Sequence, residues 1–193
     1  MVVGLQVSEA AVRYARAGLR VFPVWWAVDG KCACRKPKCS SPGKHPIAEL
    51  APHGCLDATT DEATVVAWWT KHPKASVAIA TGGESGVWVV DIDTVRDGEA
   101  GWRAVCDHAG ADEPQTLTAR TGGGGRHLFF RWPALELSVS NSQSDLAPGV
   151  DVRGAGGYVL AAPSWHVSGR VYEWLDLDDE DDQAIAALPT MQE

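Results

Sequence analysis

The sequence predicts a mixed α+β domain, and two observations carry that class. Helix-period and strand-period segments share one chain, yet the strands follow one another across short glycine-rich or polar connectors. They do not alternate with helices as in a doubly wound sheet. Hydrophobic residues make up 45% of the 193 residues, which suits one real core and argues against wholesale disorder.

Residues 8–17 read as a helix, with Ser8 as its cap, Ala10, Ala11, Tyr14 and Ala15 on one apolar face, and Gly18 as its stop. Val21 to Trp26 is apolar and β-prone, so a strand follows. Residues 29–46 form a basic, cysteine-rich loop. Thr60, Asp61 and Glu62 start a second helix, which must end before Pro73. Ser76–Ala80 and Val87–Asp93 are strand-like, with Gly82, Gly83 and Gly86 between them. Residues 97–109 suit a helix carrying Trp102 and Val105. Thr116–Arg120 and His127–Trp132 make two strands around Gly122 to Gly125. A polar loop at Asn141–Ser144 precedes three more strands, Val150–Arg153, Tyr158–Ala162 and Arg170–Trp174. Residues 1–175 thus form the folded domain, and 176–193 an acidic linker with a short helix. Trp25, Trp68 and Trp88 lie in apolar runs and are expected in the core, whereas Trp132 and Trp165 are candidates for base stacking.

The net charge of −8 argues against a protein that coats nucleic acid by bulk charge. The charge is uneven, however: Lys31, Arg35, Lys36, Lys38 and Lys44 crowd the cysteine loop, while acids crowd residues 176–182. No apolar run approaches the roughly 20 residues a membrane span needs, and no basic-then-apolar leader is evident, so a cytoplasmic location is the expectation. A phosphate-binding loop of the G-x-x-x-x-G-K-[ST] type is absent, which leaves no support for an ATPase.

Three segments carry chemistry. The strand Val87–Asp93 ends in Asp91-Ile92-Asp93, and strand alternation turns both carboxylates to one face. Two acids that close repel one another, and a hard cation such as Mg²⁺ or Mn²⁺ removes the repulsion. The bland alternative is a solvated strand end. Gly122 to Gly125 then run into Arg126 and His127, where a bare backbone and two basic side chains suit a phosphate; the alternative is a flexible hairpin with a half-buried histidine. In Val150-Asp151-Val152-Arg153, Asp151 can complete a three-carboxylate metal site with Arg153 near substrate phosphates, or the two can form an ordinary ion pair. Ser164 and His166 are weaker, chiefly structural candidates. Separately, Cys32-x-Cys34-x₄-Cys39-x₅-His45 offers four ligands of the kind zinc takes tetrahedrally, with His53 or Cys55 as substitutes and free thiols as the alternative.

Taken together, these residues resemble the bifunctional primase/polymerase domain of phage and plasmid replication proteins, within the archaeo-eukaryotic primase superfamily. The pattern is a hydrophobic run with D-h-D (Asp91, Asp93), a small residue, any residue and His (Gly125, Arg126, His127), then a hydrophobic residue and a third acid (Val150, Asp151). The likeness extends to Ser41–Pro46, Asp57–Thr60, Ala80–Gly82 and Gly149–Ser164, and so covers roughly residues 8–175. It implies the primase catalytic core, an RRM-like sheet beside a smaller α/β unit, here with a zinc-knuckle insertion at 29–46. It further implies that Asp91, Asp93 and Asp151 hold catalytic Mg²⁺ or Mn²⁺. His127, with Gly125, Arg126 and Arg153, would bind the nucleotide. The family's small residue is often Ser, so at Gly125 a hydroxyl contact is missing. The activity expected is template-directed synthesis or extension of primers by two-metal-ion catalysis on single-stranded DNA, using dNTPs or NTPs. Family members often continue into a helicase, which makes a replicative helicase a candidate partner. The rival expectations are an inactive nucleotide- or nucleic-acid-binding module and, less favoured, a metal-dependent nuclease.

Overall fold

The computed structural model describes residues 3–133 and 138–175; the acidic linker and short helix expected over 176–193 fall outside them. Helix α1 (Val3–Arg16) begins five residues before the expected cap, so Ser8 lies inside it. It ends as expected: Gly18 adopts φ +85°. There the Gly18 N–H reaches Ala15 O, and the Leu19 N–H reaches Tyr14 O at 2.9 Å, a Schellman closure. Strand β1 (Val21–Val24) follows, then a two-stranded hairpin, β2 (Ala27–Val28) and β3 (Lys31–Cys32), at the root of the cysteine loop. Helix α2 (Glu62–Lys71) starts where the sequence places it, with the Asp61 carboxylate accepting from the Thr64 N–H.

The remaining strands are β4 (Ser76–Thr81), β5 (Val87–Ile92), β6 (Thr118–Arg120), β7 (Arg126–Arg131), β8 (Ser142–Ala147), β9 (Val150–Arg153), β10 (Gly157–Leu160) and β11 (Glu173–Trp174), with helix α3 (Gly98–Ala109) after β5. They divide into two antiparallel sheets. One is three-stranded, in the order β1-β4-β10; the other is six-stranded, in the order β11-β6-β7-β5-β9-β8. The consecutive strands β4 and β5 therefore belong to different sheets, joined by a turn at residues 82–86 whose one ladder contact is a Gly82–Val87 bridge. The segment read as a polar loop at 141–144 is mostly strand β8. Its Ser-Gln-Ser-Asp sequence has no apolar alternation because it is an edge strand, irregularly paired to β9 and largely exposed.

The large sheet separates two cores. On one face Val90, Ile92, Leu128, Phe130 and Val150 pack with Trp102 of α3. On the other, Val87, Val89, Ala119 and Phe129 join α1, α2 and the small sheet. Trp69 and Trp102 are buried (3% and 7% exposed), whereas Trp25, Trp68 and Trp88, expected in the core, only flank it. Each of those three has a buried neighbour within one residue (Val24, Trp69, Val89). Among the described residues no helix is long and apolar enough to cross a membrane.

Candidate active site

The site lies on the sheet face turned toward the N-terminal unit, because register fixes which side chains meet there. Asp91 of β5 is directly opposite His127 of β7 on one side and Asp151 of β9 on the other, so the three form one rung across the middle of the sheet. Like charges directly opposite one another destabilise a ladder, and Arg153 relieves this pair. Its Nη2 donates to Asp91 Oδ2 at 3.0 Å and to Asp151 Oδ2 at 2.9 Å. Asp151 is 1% exposed and fully engaged: it also accepts from the Ser144 N–H (3.0 Å) and from Arg96 Nη2 (3.2 Å).

Asp93 stands past the strand end. Its Oδ1 caps a short 3₁₀ turn (Thr94–Arg96) by accepting from the Val95 N–H, and its Oδ2 accepts from Arg96 Nε at 3.0 Å. Of the three acids expected at the site, Asp91 and Asp151 face one another across the ladder, and Asp93 is tied to Asp151 through Arg96. Arg96 was not picked out by sequence reasoning, although its place three residues after Asp93 at a strand end was the available signal. Burial pushes the Asp91 carboxyl up, but His127 and Arg153 more than reverse this and hold it well below the usual carboxylate range.

His127 is 5% exposed. Its Nε2 lies 3.5 Å from Asp91 Oδ1, its ring faces Tyr172 at 5.8 Å, and its Nδ1 is buried with no polar partner among the described residues. A buried ring nitrogen without a partner is uncommon and points to a ligand or water. Arg126 does not join it. Adjacent strand residues face opposite sides, so Arg126 points toward α3, where Glu99 (2.7 Å) and Glu113 hold its guanidinium. The expectation of an Arg126–His127 pair on one phosphate fails for that reason.

The glycine run is a tight turn more than a cradle. The Gly125 N–H is taken by Thr121 Oγ1 and the Gly124 N–H by Thr121 O. At Gly125 itself a Cβ would stand 2.0 Å from Ile92 O, so glycine is required there to let β7 start against the end of β5. Ser164 is structural: its hydroxyl is buried and bonds both the N–H and the carbonyl of Val77.

Asp91, His127 and Arg153 open into a cavity of about 610 Å³ that is walled by β10 and by the cysteine-loop residues Ser40 to Lys44. Tyr172 and His166 close it from the following turn, a contribution the sequence suggested only faintly for His166 and not at all for Tyr172. The cavity therefore combines one acid of the rung, Asp91, a histidine with an unpartnered nitrogen, and cations from two separate elements, Arg153 and Lys44, features suited to a phosphorylated ligand with a divalent cation.

The second cluster is compact. One ligand atom from each of Cys32, Cys34, Cys39 and His45 lies within 4.8 Å of the others, and among the described residues no other set of three or more possible ligands does so. Cys32 Sγ accepts from the Gly43 N–H at 3.3 Å and lies 3.4 Å from His45 Nε2. Partial burial pushes the Cys32 thiol up. For Cys34 desolvation is the largest single effect and raises the thiol, but the Lys36 N–H and the neighbouring cluster groups together outweigh it and bring the thiol down to about 6. Three sulfurs, an imidazole and amide donors to the sulfurs fit a tetrahedral zinc ion. His53 and Cys55 stand outside the cluster, His53 paired with Asp57 and Cys55 donating to Gly156 O.

The sequence pattern of the bifunctional DNA primase/polymerase N-terminal family matches residues 11–191, nearly the whole chain. The chain belongs to that family, whose general activity is DNA priming and polymerisation on a DNA template from nucleotides, with a divalent metal. No curated protein matches it.

Proposed function

We propose that the chain is a template-directed nucleotidyltransferase that makes or extends primers, and that its reaction centre is the Asp91–His127–Asp151 rung. The single observation carrying this reading is that rung, which sets two carboxylates beside a histidine with an unpartnered nitrogen, with Asp91 and His127 opening into one cavity. Asp91 and Asp151, with Asp93 beyond the strand end, would hold Mg²⁺ or Mn²⁺. When bound, the metal activates the primer hydroxyl and neutralises triphosphate charge. His127 donates from its ring to a phosphate oxygen, and Arg153, which reaches both acids, turns to the same triphosphate once a cation takes over their charge. Arg126 has no place in this reading. The six-stranded sheet with α3, beside the smaller unit of α1, α2 and the three-stranded sheet, fits a primase catalytic core. The cysteine cluster reads as a zinc knuckle whose lysines face the backbone of single-stranded DNA. Dependence on a replicative helicase follows from the resemblance alone.

A second reading, a catalytically silent nucleotide-binding module, draws on the arginines that already satisfy Asp151. Incubation with labelled dNTPs or NTPs, Mg²⁺ or Mn²⁺ and a primed single-stranded template separates the two. Product lengthening that is lost in Asp91→Asn supports the enzyme. Nucleotide binding without lengthening under every metal supports the module, and shortening of the template would favour a nuclease.

A further inference from the structure

A second, larger cavity of about 810 Å³ lies between the β2–β3 hairpin and the turn at 165–169. Two indoles line it, Trp26 from the strand-to-hairpin junction and Trp165 from the turn, with Val7 of α1 and Val28 at its walls. It adjoins the reaction cavity, because His166 and Val167 line both. Trp165 is 36% exposed, and Val28, at the rim, is 52% exposed. An indole placed there is solvated where a core position would have hidden it.

Both indoles sit on fixed backbone. Trp165 follows the buried Ser164, its strand-like pairing with Val171 closes the turn, and the Tyr172 N–H bonds Ser164 O at 2.9 Å. The Trp26 carbonyl accepts from the Ala33 N–H, and the neighbouring Trp25 N–H reaches His45 O, so this wall is tied to the cysteine loop. Cations stand in the lining and on the elements that form it. Lys74 lines the cavity, Lys31 pairs with Val28 in the hairpin, and Lys44 lines the adjoining cavity; Asp29, at the hairpin turn, is the lone acid of the lining.

We propose that this slot takes unstacked bases of single-stranded nucleic acid, with Trp26 and Trp165 as stacking platforms and Lys31 and Lys74 on the backbone phosphates. The proposal rests on the reading of the adjoining cavity as the nucleotidyl-transfer site. The chemistry chooses this occupant over the alternatives. Aromatic platforms beside a cationic rim bind single strands without sequence preference, because every base has a π-face. A duplex keeps its bases stacked and offers the indoles nothing. A purely apolar partner would leave the lysines unused. Continuity with the reaction cavity then gives the strand a direction, from the slot past His166 to the Asp91–Asp151 rung.

The test compares binding of the full chain to a fluorescein-labelled oligothymidylate, to the same strand annealed to its complement, and to dTTP with Mg²⁺. Trp165→Ala should weaken oligothymidylate binding about tenfold, the equivalent of roughly 1.4 kcal/mol and within the range for one stacked base. Trp165→Phe should stay close to wild type, and Lys74→Glu should weaken binding and flatten its salt dependence. Duplex and dTTP binding should not change in any of them. Oligothymidylate affinity unaltered in both Trp165→Ala and Trp26→Ala would overturn the proposal. So would a parallel loss of dTTP binding, or loss of self-association in sedimentation with strand binding intact, which would assign the groove to a second copy. Asp91→Asn separates the two readings: normal extension by that variant defeats the catalytic assignment and leaves the slot standing, whereas normal strand binding by the tryptophan variants defeats the slot alone.

Discussion

The two candidate ligand clusters of this protein, four soft groups in the cysteine loop and three carboxylates on and just past strands of the large sheet, handle charge in opposite ways. In the first, every donor atom already lies within 4.8 Å of the others. In the second, Asp91, Asp93 and Asp151 are bridged by Arg153 and Arg96, two cations supplied by the chain itself. The difference follows from charge. Thiols and a neutral imidazole repel little before deprotonation, so they can converge and lose protons as a metal arrives. Carboxylates are ionised at neutral pH and cannot be packed together, one of them 1% exposed, without a counter-cation. A preformed soft site suits a resident structural ion. A hard site with exchangeable arginines suits an ion that comes and goes with substrate.

The comparison breaks most visibly at the acids. Asp91→Asn should abolish primer extension, a loss beyond about a hundredfold, since metal-borne charge stabilisation is worth several kcal/mol. Its circular dichroism should stay near wild type because Asn keeps the shape, while melting at neutral pH should fall as the pairing of Asp91 with Arg153 and His127 is lost. Extension near the wild-type rate would show that the rung is not the reaction centre. His127→Ala should cost less, about 1.5–3 kcal/mol in kcat/KM as for one charge-assisted contact, with the Mg²⁺ concentration dependence unchanged. Rescue by excess Mn²⁺ with an unaltered nucleotide KM would instead make His127 a metal ligand.

At the soft cluster, protein purified without added metal should contain about one zinc per chain by elemental analysis, and Cys34→Ser should lose it. The same variant should weaken template binding more than nucleotide binding. Full zinc content in Cys34→Ser would remove that residue from the ligand set. Arg96→Gln sharpens the contrast from the other side. Freed of one counter-cation, the acids should bind Mn²⁺ severalfold more tightly by titration calorimetry, while melting in chelator falls by a few degrees. Weaker Mn²⁺ binding would mean that Arg96 organises the acids for the metal and does not stand in for it.

A control outside both clusters should show the smallest effect at neutral pH. The Tyr14 hydroxyl donates to Ala162 O at 2.6 Å and accepts from Trp174 Nε1 at 2.9 Å. Burial raises its pKa far above the ordinary tyrosine value, with Trp174 and Arg13 opposing weakly. The folded state therefore keeps a proton that the unfolded chain releases above about pH 10, so this contribution is whole below that pH and is lost as pH rises beyond it. Tyr14→Phe should melt slightly lower at pH 7 and lose stability less steeply above about pH 10 in a pH series of thermal melts. Parallel curves would assign the alkaline loss to other groups, Tyr172 foremost, which burial and Asp91 raise in the same direction.

Much of the site was legible because it is local. Asp91, His127 and Asp151 each stand on an apolar strand whose period turns them to one face, and Cys32 to His45 are close in sequence before they are close in space. Helix α2 was readable from its cap and helix α3 from its composition. What misled was the unseen neighbour. Arg126 looked like a partner for His127 until alternation turned it toward Glu99 and Glu113, 27 and 13 residues away. Polar β8 looked like a loop because edge pairing to β9 asks for no hydrophobic alternation.

By itself the sequence determined the α+β class, the family and the residue types of both clusters, since these depend on short-range pattern and on side-chain chemistry. Tertiary structure decided the rest: that β4 and β5 part into different sheets, that Asp151 lies opposite Asp91, that Arg96 and Arg153 sit between the acids, and that Trp165 comes to line a cavity with Trp26. Those facts rest on pairings between residues as many as 139 positions apart. Strand register and chain crossing set such pairings, and both are fixed by how the two cores close around the large sheet, which no local window of sequence encodes.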